Sequence, residues 1–155
     1  MKHLFWAMAL LLCVGCGGSN GSDDSDGRDG IYQVGDYYNR DFNKGIVFDV
    51  TNGGRNGKIL SLDEADYNWS GAKQWCRNHG DGWRLPTKDE LLAIYTNKLD
   101  VNYWLKKYNS GTLKNSAYWS SSRYHGNVLY VLMDDGRTTD NFNIRNAYVR
   151  AVSAF

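Results

Sequence analysis

Groups able to act as nucleophile, base or metal ligand are sparse in this chain of 155 residues. After residue 30 the only histidines are His79 and His125, and the only cysteine is Cys76. A serine nucleophile needs a base beside it and often sits in a G-x-S-x-G elbow, and no such elbow occurs. Ser120-Ser121-Ser122 reads instead as a strand with alternating exposure, next to a core Trp119. Cys76 falls on the apolar face of a helix, where a free cysteine acts as a small hydrophobe. A zinc site needs several Cys or His ligands at defined spacing, and these are missing. Asn52-Gly53-Gly54-Arg55-Asn56-Gly57-Lys58-Ile59 fails the phosphate-loop pattern at both ends and has no helix behind it to receive phosphate. Asp134, Asp135, Asp140, Asn141 and Asn143 could offer oxygens to calcium, but their spacing is not that of an EF-hand. Asp134-Asp135-Gly136 is explained as a hairpin turn. No catalytic residue, metal or cofactor is therefore assigned, and the chain is expected not to be an enzyme.

Binding chemistry is better represented. Arg123-Tyr124-His125-Gly126-Asn127 combines a cation, two aromatic rings and an amide directly after a strand. Sugars are held by aromatic stacking and planar polar side chains, and binding residues gather on loops carried by a rigid frame. Arg123, Tyr124, His125 and Asn127 are the predicted ligand-binding residues. Arg137, Asp140 and Asn141 are expected to join them across the next hairpin. The competing reading is an ordinary solvated loop.

The elements that must position this loop follow from hydrophobic periodicity. Gly45–Val50 and Lys58–Leu62 are β-rich and enclose Asn/Gly turn material, which predicts a hairpin over 45–62. Asn68 precedes a helical face of Trp69, Ala72, Trp75, Cys76 and His79, with Gly80 expected to end the helix. Pro86 holds Leu85 extended, and Thr87 with Glu90 forms the S/T-x-x-E pattern of a capping box. A second helix is therefore predicted from Lys88 to about Asn97. The adjacent Arg84 is expected to pair with a carboxylate inside the fold. A third helix, capped by Asp100, would bury Val101, Trp104, Leu105 and Tyr108. Strands are expected at 117–122, 127–133, 137–142 and 146–155. Helices grouped between two β regions argue for an α+β fold.

The N-terminus has its own signals. Lys2 followed by apolar Leu4–Val14 is too short to span a bilayer and reads as a signal peptide over 1–15. Gly15-Cys16 resembles a bacterial lipobox, which implies lipidation of Cys16 and an outer-membrane lipoprotein, with surface exposure an open possibility. Residues 16–30 lack apolar side chains and carry a net charge of −3, as expected of a flexible acidic linker. That acidity also resembles a surface-export signal of bacterial lipoproteins; a merely solvated linker explains it equally well. Residues 31–155 are enough for one domain. Their net charge is +3, without the clustered basic run expected of a nucleic-acid binder. With Cys76 alone, the domain has no internal disulfide and depends on its core. That core is aromatic: five Trp, eleven Tyr and four Phe follow Gly30.

Several segments fall into a recognisable order: Gly45-Ile46-Val47-Phe48, Gly57-Lys58-Ile59, Trp69 with Ala72, Gly82-Trp83-Arg84-Leu85-Pro86-Thr87 with Glu90-Leu91, Tyr118-Trp119-Ser120-Ser121-Ser122, and Val149-Arg150-Ala151-Val152 with Phe155. This order resembles the C-terminal domain family of the Legionella collagen-like adhesin and the related Fibrobacter-type major paralogous lipoprotein domain. The resemblance implies a C-type lectin-like fold and glycan binding, notably of sulfated polysaccharides. The Arg-Leu-Pro-Thr-x-x-Glu helix start is also similar to that of formylglycine-generating enzymes. Their late pair of active-site cysteines has no counterpart here, nor have the Glu-Pro-Asn and Trp-Asn-Asp motifs of calcium-dependent lectins. The expected function is thus a non-enzymatic, envelope-anchored binding module for a glycan. The alternatives are an accessory lipoprotein binding another envelope protein, or a degenerate oxidase of the formylglycine-generating type.

Overall fold

The computed structural model describes residues 28–140 and 144–155. Cys16, the signal-peptide segment and Asn141 lie outside the described residues. Among the described residues, nine strands and three α-helices form an α+β fold with two sheets. The first sheet contains β1 (Tyr37–Arg40), β2 (Asn43–Thr51), β3 (Asn56–Ser61) and, from the far end of the chain, β9 (Val152–Ala154), in the order β1-β2-β3-β9. The second has the order β4-β8-β5-β6-β7, from β4 (Ala65–Tyr67), β5 (Ala117–Tyr124), β6 (Asn127–Leu132), β7 (Thr138–Thr139) and β8 (Ala147–Val149). The helices α1 (Trp69–Arg77), α2 (Lys88–Thr96) and α3 (Lys98–Lys107) lie between β4 and β5 in the chain.

The apolar run Ile46-Val47-Phe48 explains why the first sheet is central. Ile46, Phe48 and Leu60 pack with Leu91 and Ile94 of α2 and Val101 and Leu105 of α3. Val47 and Ile59 project to the other side and pack with Ala72 and Cys76 of α1, Trp83, Leu85 and Trp119. A strand covered on both faces reads as a continuous hydrophobic run rather than an alternating one. Each fully buried Ile, Leu or Val side chain contributes about 1.5–3 kcal/mol relative to exposure. Cys76 is free and fully buried within this layer, as its helical spacing predicted.

The capping signals are realised. Asn68 accepts a hydrogen bond from the Gly71 N–H at 2.9 Å. At α2 the Thr87 hydroxyl accepts from Glu90 N–H at 3.2 Å, and the Glu90 carboxylate accepts from Thr87 N–H at 2.8 Å. Arg84 donates two bonds to Glu90, at 2.7 and 2.6 Å. The corner before α2 is joined to both sheets. Arg84 bridges to Val152, and Ser121 N–H donates to the Pro86 carbonyl at 2.7 Å.

Four expectations need correction. The third helix starts at Lys98 rather than after Asp100, with Asn97 at its N-cap position. Asn97 ends α2 as well, and its amide bonds the Ala93 and Phe48 carbonyls. Asp100 lies in the first turn, where a carboxylate favours the helix dipole without capping. The expected strand 146–155 is two strands in different sheets, broken at Arg150-Ala151. The break turns the Arg150 side chain into the interior, where only 1% of it is exposed. Within the described part of the strand expected at 137–142, Thr138 and Thr139 alone pair with β6, and residues 141–142 lie outside the described residues. Finally, α1 stops at Arg77, and Gly80 (φ 126°) shapes the following turn instead of capping the helix. Strands β1 and β4 had no clear signal, because tyrosine and polar residues mask their short periodicity.

Candidate binding face

The β5–β6 hairpin turns at His125-Gly126, between the paired residues Tyr124 and Asn127. Both turn residues have positive φ, 48° for His125 and 85° for Gly126. Two consecutive left-handed residues match the twist of the flanking strands. Glycine adopts that conformation freely, whereas histidine is held there at a cost. Tyr124 is 59% exposed, and its ring meets the His125 ring edge-on at 4.1 Å between centroids. Arg123 donates to the Gly126 carbonyl at 2.7 Å, bracing the turn. Asn127 donates to the Asp140 carboxylate at 3.2 Å.

Five predicted site residues therefore come together: Arg123, Tyr124, His125, Asn127 and Asp140. Arg137 does not join them. It lies beyond the opposite end of β6, where its guanidinium donates to Asp135 at 2.5 Å. The two turns flanking a strand fall at its two ends, and β6 is long enough to separate them. Asp134 and Asp135 are engaged in the second turn, accepting from Asp135 N–H and Arg137 N–H, both at 3.0 Å.

Arg123 connects the hairpin to a second group that the sequence reading missed. Its guanidinium carbon is 4.5 Å from the centroid of the Trp69 ring. The Lys73 ammonium is 4.6 Å from the same ring. The indole N–H donates to the Ser120 carbonyl at 2.9 Å, which fixes the ring between α1 and β5. A cleft of about 170 Å³ opens alongside, lined by Lys73, Arg77, Arg84, Leu85 and Ser121. A shift in β5 register between Trp119 and Arg123 allows Ser121 to face this corner. A bulge commonly re-aims side chains in this way.

The electrostatics differ sharply among these cations. Arg84 is neutralised by Glu90, whose carboxyl is held down to about 2 by Arg84, the Thr87 N–H and Lys58, against the opposing effect of its burial. Lys73, Arg77 and Arg123 have no carboxylate partner among the described residues; Arg77 donates only to Gln74, at 2.9 Å. Trp69, Lys73 and Arg77 recur every fourth residue, so that interval could have revealed a helix stripe. Trp69 was instead absorbed into the apolar face, and Arg123 is remote in sequence.

Acid–base and redox groups lie elsewhere. Burial pushes the Cys76 thiol up to about 12. His79 is held by Asp63 and the Trp75 carbonyl. Ser120 donates its hydroxyl proton to the Leu129 carbonyl. Among the described residues, no three His, Cys, Asp or Glu side chains gather as metal ligands.

Residues 39–153 match the model of the Lcl C-terminal domain. The chain belongs to the Lcl C-terminal domain family. No curated protein matches it. The Lcl C-terminal domain match contains the whole hairpin, α1 and the Arg84–Glu90 corner. Membership suggests a surface or adhesin-like bacterial module. Among the described residues of this Lcl domain, no helix is long and apolar enough to cross a membrane.

Proposed function

We propose that this Lcl domain is a non-enzymatic binding module for an anionic glycan. The ligand runs from the Tyr124-His125 hairpin tip across Arg123 and Trp69 to Lys73 and Arg77. The observation carrying this reading is the pair of cations Lys73 and Arg123 over one fixed indole, with Arg77 lining the adjoining cleft, none of the three with a carboxylate partner among the described residues. Holding like charges together in the free protein costs energy that a polyanion would recover. Guanidinium groups bind sulfate or carboxylate through paired N–H donors. Tyr124 supplies an exposed ring for a sugar face. Family membership supports the adhesin-like role, and the two-sheet frame is read as a C-type lectin-like scaffold. A lipid anchor at Cys16 would present the module on the outer membrane of the cell envelope.

The oxidase alternative receives no support from Cys76, the one cysteine among the described residues, which is buried and whose thiol is pushed up to about 12 by that burial. The test is retention of the full-length protein on immobilised heparin compared with chemically desulfated heparin. Binding to the sulfated polymer that weakens steeply with added salt is expected, because screening acts on exposed charges. Equal retention on both polymers would refute the anionic-glycan reading.

A further inference from the structure

A second cavity lies away from the cationic face. It has a volume of about 440 Å³ and is lined by Leu62, Asp63, Glu64, Tyr108, Asn109, Ser110, Gly111 and Arg150. That size falls within the roughly 300–1,000 Å³ of small-ligand pockets. We propose that it binds a neutral saccharide unit through the Asp63 carboxylate, the Asn109 amide and the Ser110 hydroxyl, beside the Tyr108 ring.

Its walls are preorganised by one guanidinium. Arg150 donates to the Ser61 and Leu62 carbonyls at 2.9 and 2.7 Å, to Glu64 at 3.1 Å, and to the Gly111 carbonyl. Residues 61–64 on one side and Gly111 on the other are thus fastened to the same side chain. The Ser110 hydroxyl donates to the Leu62 carbonyl and ties the walls together again. It keeps lone pairs with which to accept a ligand hydroxyl. Tyr108 is braced by Tyr37, with ring centroids 4.0 Å apart. Such a site loses little conformational entropy on binding.

The charge balance separates this ligand from the first. Asp63 and Glu64 face Arg150 and His79, so the cavity offers no net cation to an anion. The Asp63 side chain is 64% exposed, and His79 engages one of its oxygens at 2.8 Å. The exposed carboxylate keeps lone pairs with which to accept ligand hydroxyls. Asn109 makes no side-chain hydrogen bond among the described residues, although its backbone is held at φ 56°. An amide and a carboxylate together suit vicinal hydroxyl groups, which both donate and accept. Asn109 is the left-handed residue that closes α3, where the Ser110 N–H donates to the Leu105 carbonyl at 2.8 Å; the cap uses its backbone and leaves its amide to a ligand.

The full-length protein should be titrated with methyl glycosides of glucose, galactose, mannose, fucose and N-acetylglucosamine, following the backbone amide resonances of Asp63, Ser110 and Gly111. At least one glycoside is expected to shift all three. Asn109→Gly removes the amide while relieving the left-handed backbone. It should weaken that glycoside about tenfold or more with an unchanged or higher melting temperature. Asp63→Asn should weaken it too, whereas Arg123→Ala should leave it intact. The proposal is overturned if no glycoside moves these resonances, if Asn109→Gly binds as well as the parent, or if Arg123→Ala abolishes the shifts. Because Arg123 serves only the anionic face, failure of one site is distinguishable from failure of the other.

Discussion

Arg150 and Arg123 are the same residue in opposite circumstances. Arg150 is 1% exposed and spends its donors on the Ser61, Leu62, Asp63 and Gly111 carbonyls and on Glu64. Arg123 lies at the surface, braces one turn carbonyl and rests on Trp69 without an acidic partner. The difference teaches that the partners around a cation, rather than its presence in a motif, separate a fold-holding group from a ligand-holding one. Arg150 splits the C-terminal segment between two sheets and locks the loops they leave. Arg123 contributes little to that frame and stays available.

The largest effect should come from breaking the buried member. Arg150→Met leaves the Glu64 carboxylate without its counter-ion, holding only the Tyr118 hydroxyl, and removes a donor from several backbone carbonyls. Removing one partner of a buried ion pair typically costs about 3–5 kcal/mol. Urea denaturation should register a loss of that order or an unfolded chain. A variant as stable as the parent would show the two arginines to be less different than claimed.

Next comes Glu90, which joins Arg84 to the start of α2. Its folded value near 2 lies below the ordinary carboxylate value of 4.5. The resulting stability is therefore present above the unfolded value and disappears as pH falls through about 2. A shift of this size corresponds to at most about 3 kcal/mol. Glu90→Gln should cost about 2 kcal/mol at neutral pH and should flatten the acid limb of the stability curve.

His79 gives a smaller effect of opposite sign. Its two ring nitrogens face acceptors, the Trp75 carbonyl at 3.0 Å and the Asp63 carboxylate at 2.8 Å. Neutral imidazole can donate only one proton, so both contacts favour the charged ring. Hydrogen bonding to Asp63 raises its pKa above 6.5, with burial opposing. The associated stability is complete below the unfolded value and is lost as pH rises through the folded one. Asp63→Asn should lower stability at pH 6 by about 0.5–1 kcal/mol and have less effect at pH 9. Chemical denaturation at the two pH values would check this.

These differences also explain how much was legible in the sequence. The capping box was readable because its members lie three residues apart, and the carboxylate expected for Arg84 proves to be Glu90, six residues on. Cys76 and the apolar helix faces followed from period alone. Arg150 carried no local signal, since Glu64 and Ser61 lie 86 and 89 residues away. The binding face was half legible. The hairpin tip announced itself by composition, and Asp140 joined it as expected. Trp69 and Lys73 entered only because β5 runs beside α1, while Arg137 was lost to the far end of β6. The cavity between residues 62–64 and 108–111 had no sequence signature, because its walls meet through Arg150 and Ser110, each remote in sequence from the groups it holds.

The most direct test replaces Lys73, Arg77 and Arg123 together by alanine, and follows thermal unfolding alongside binding to heparin. The account predicts a stability change within about 0.5 kcal/mol, as for surface sites without buried partners, and loss of nearly all salt-sensitive binding. Undiminished binding by a folded triple variant would contradict it, as would a collapse in stability like that expected for Arg150→Met.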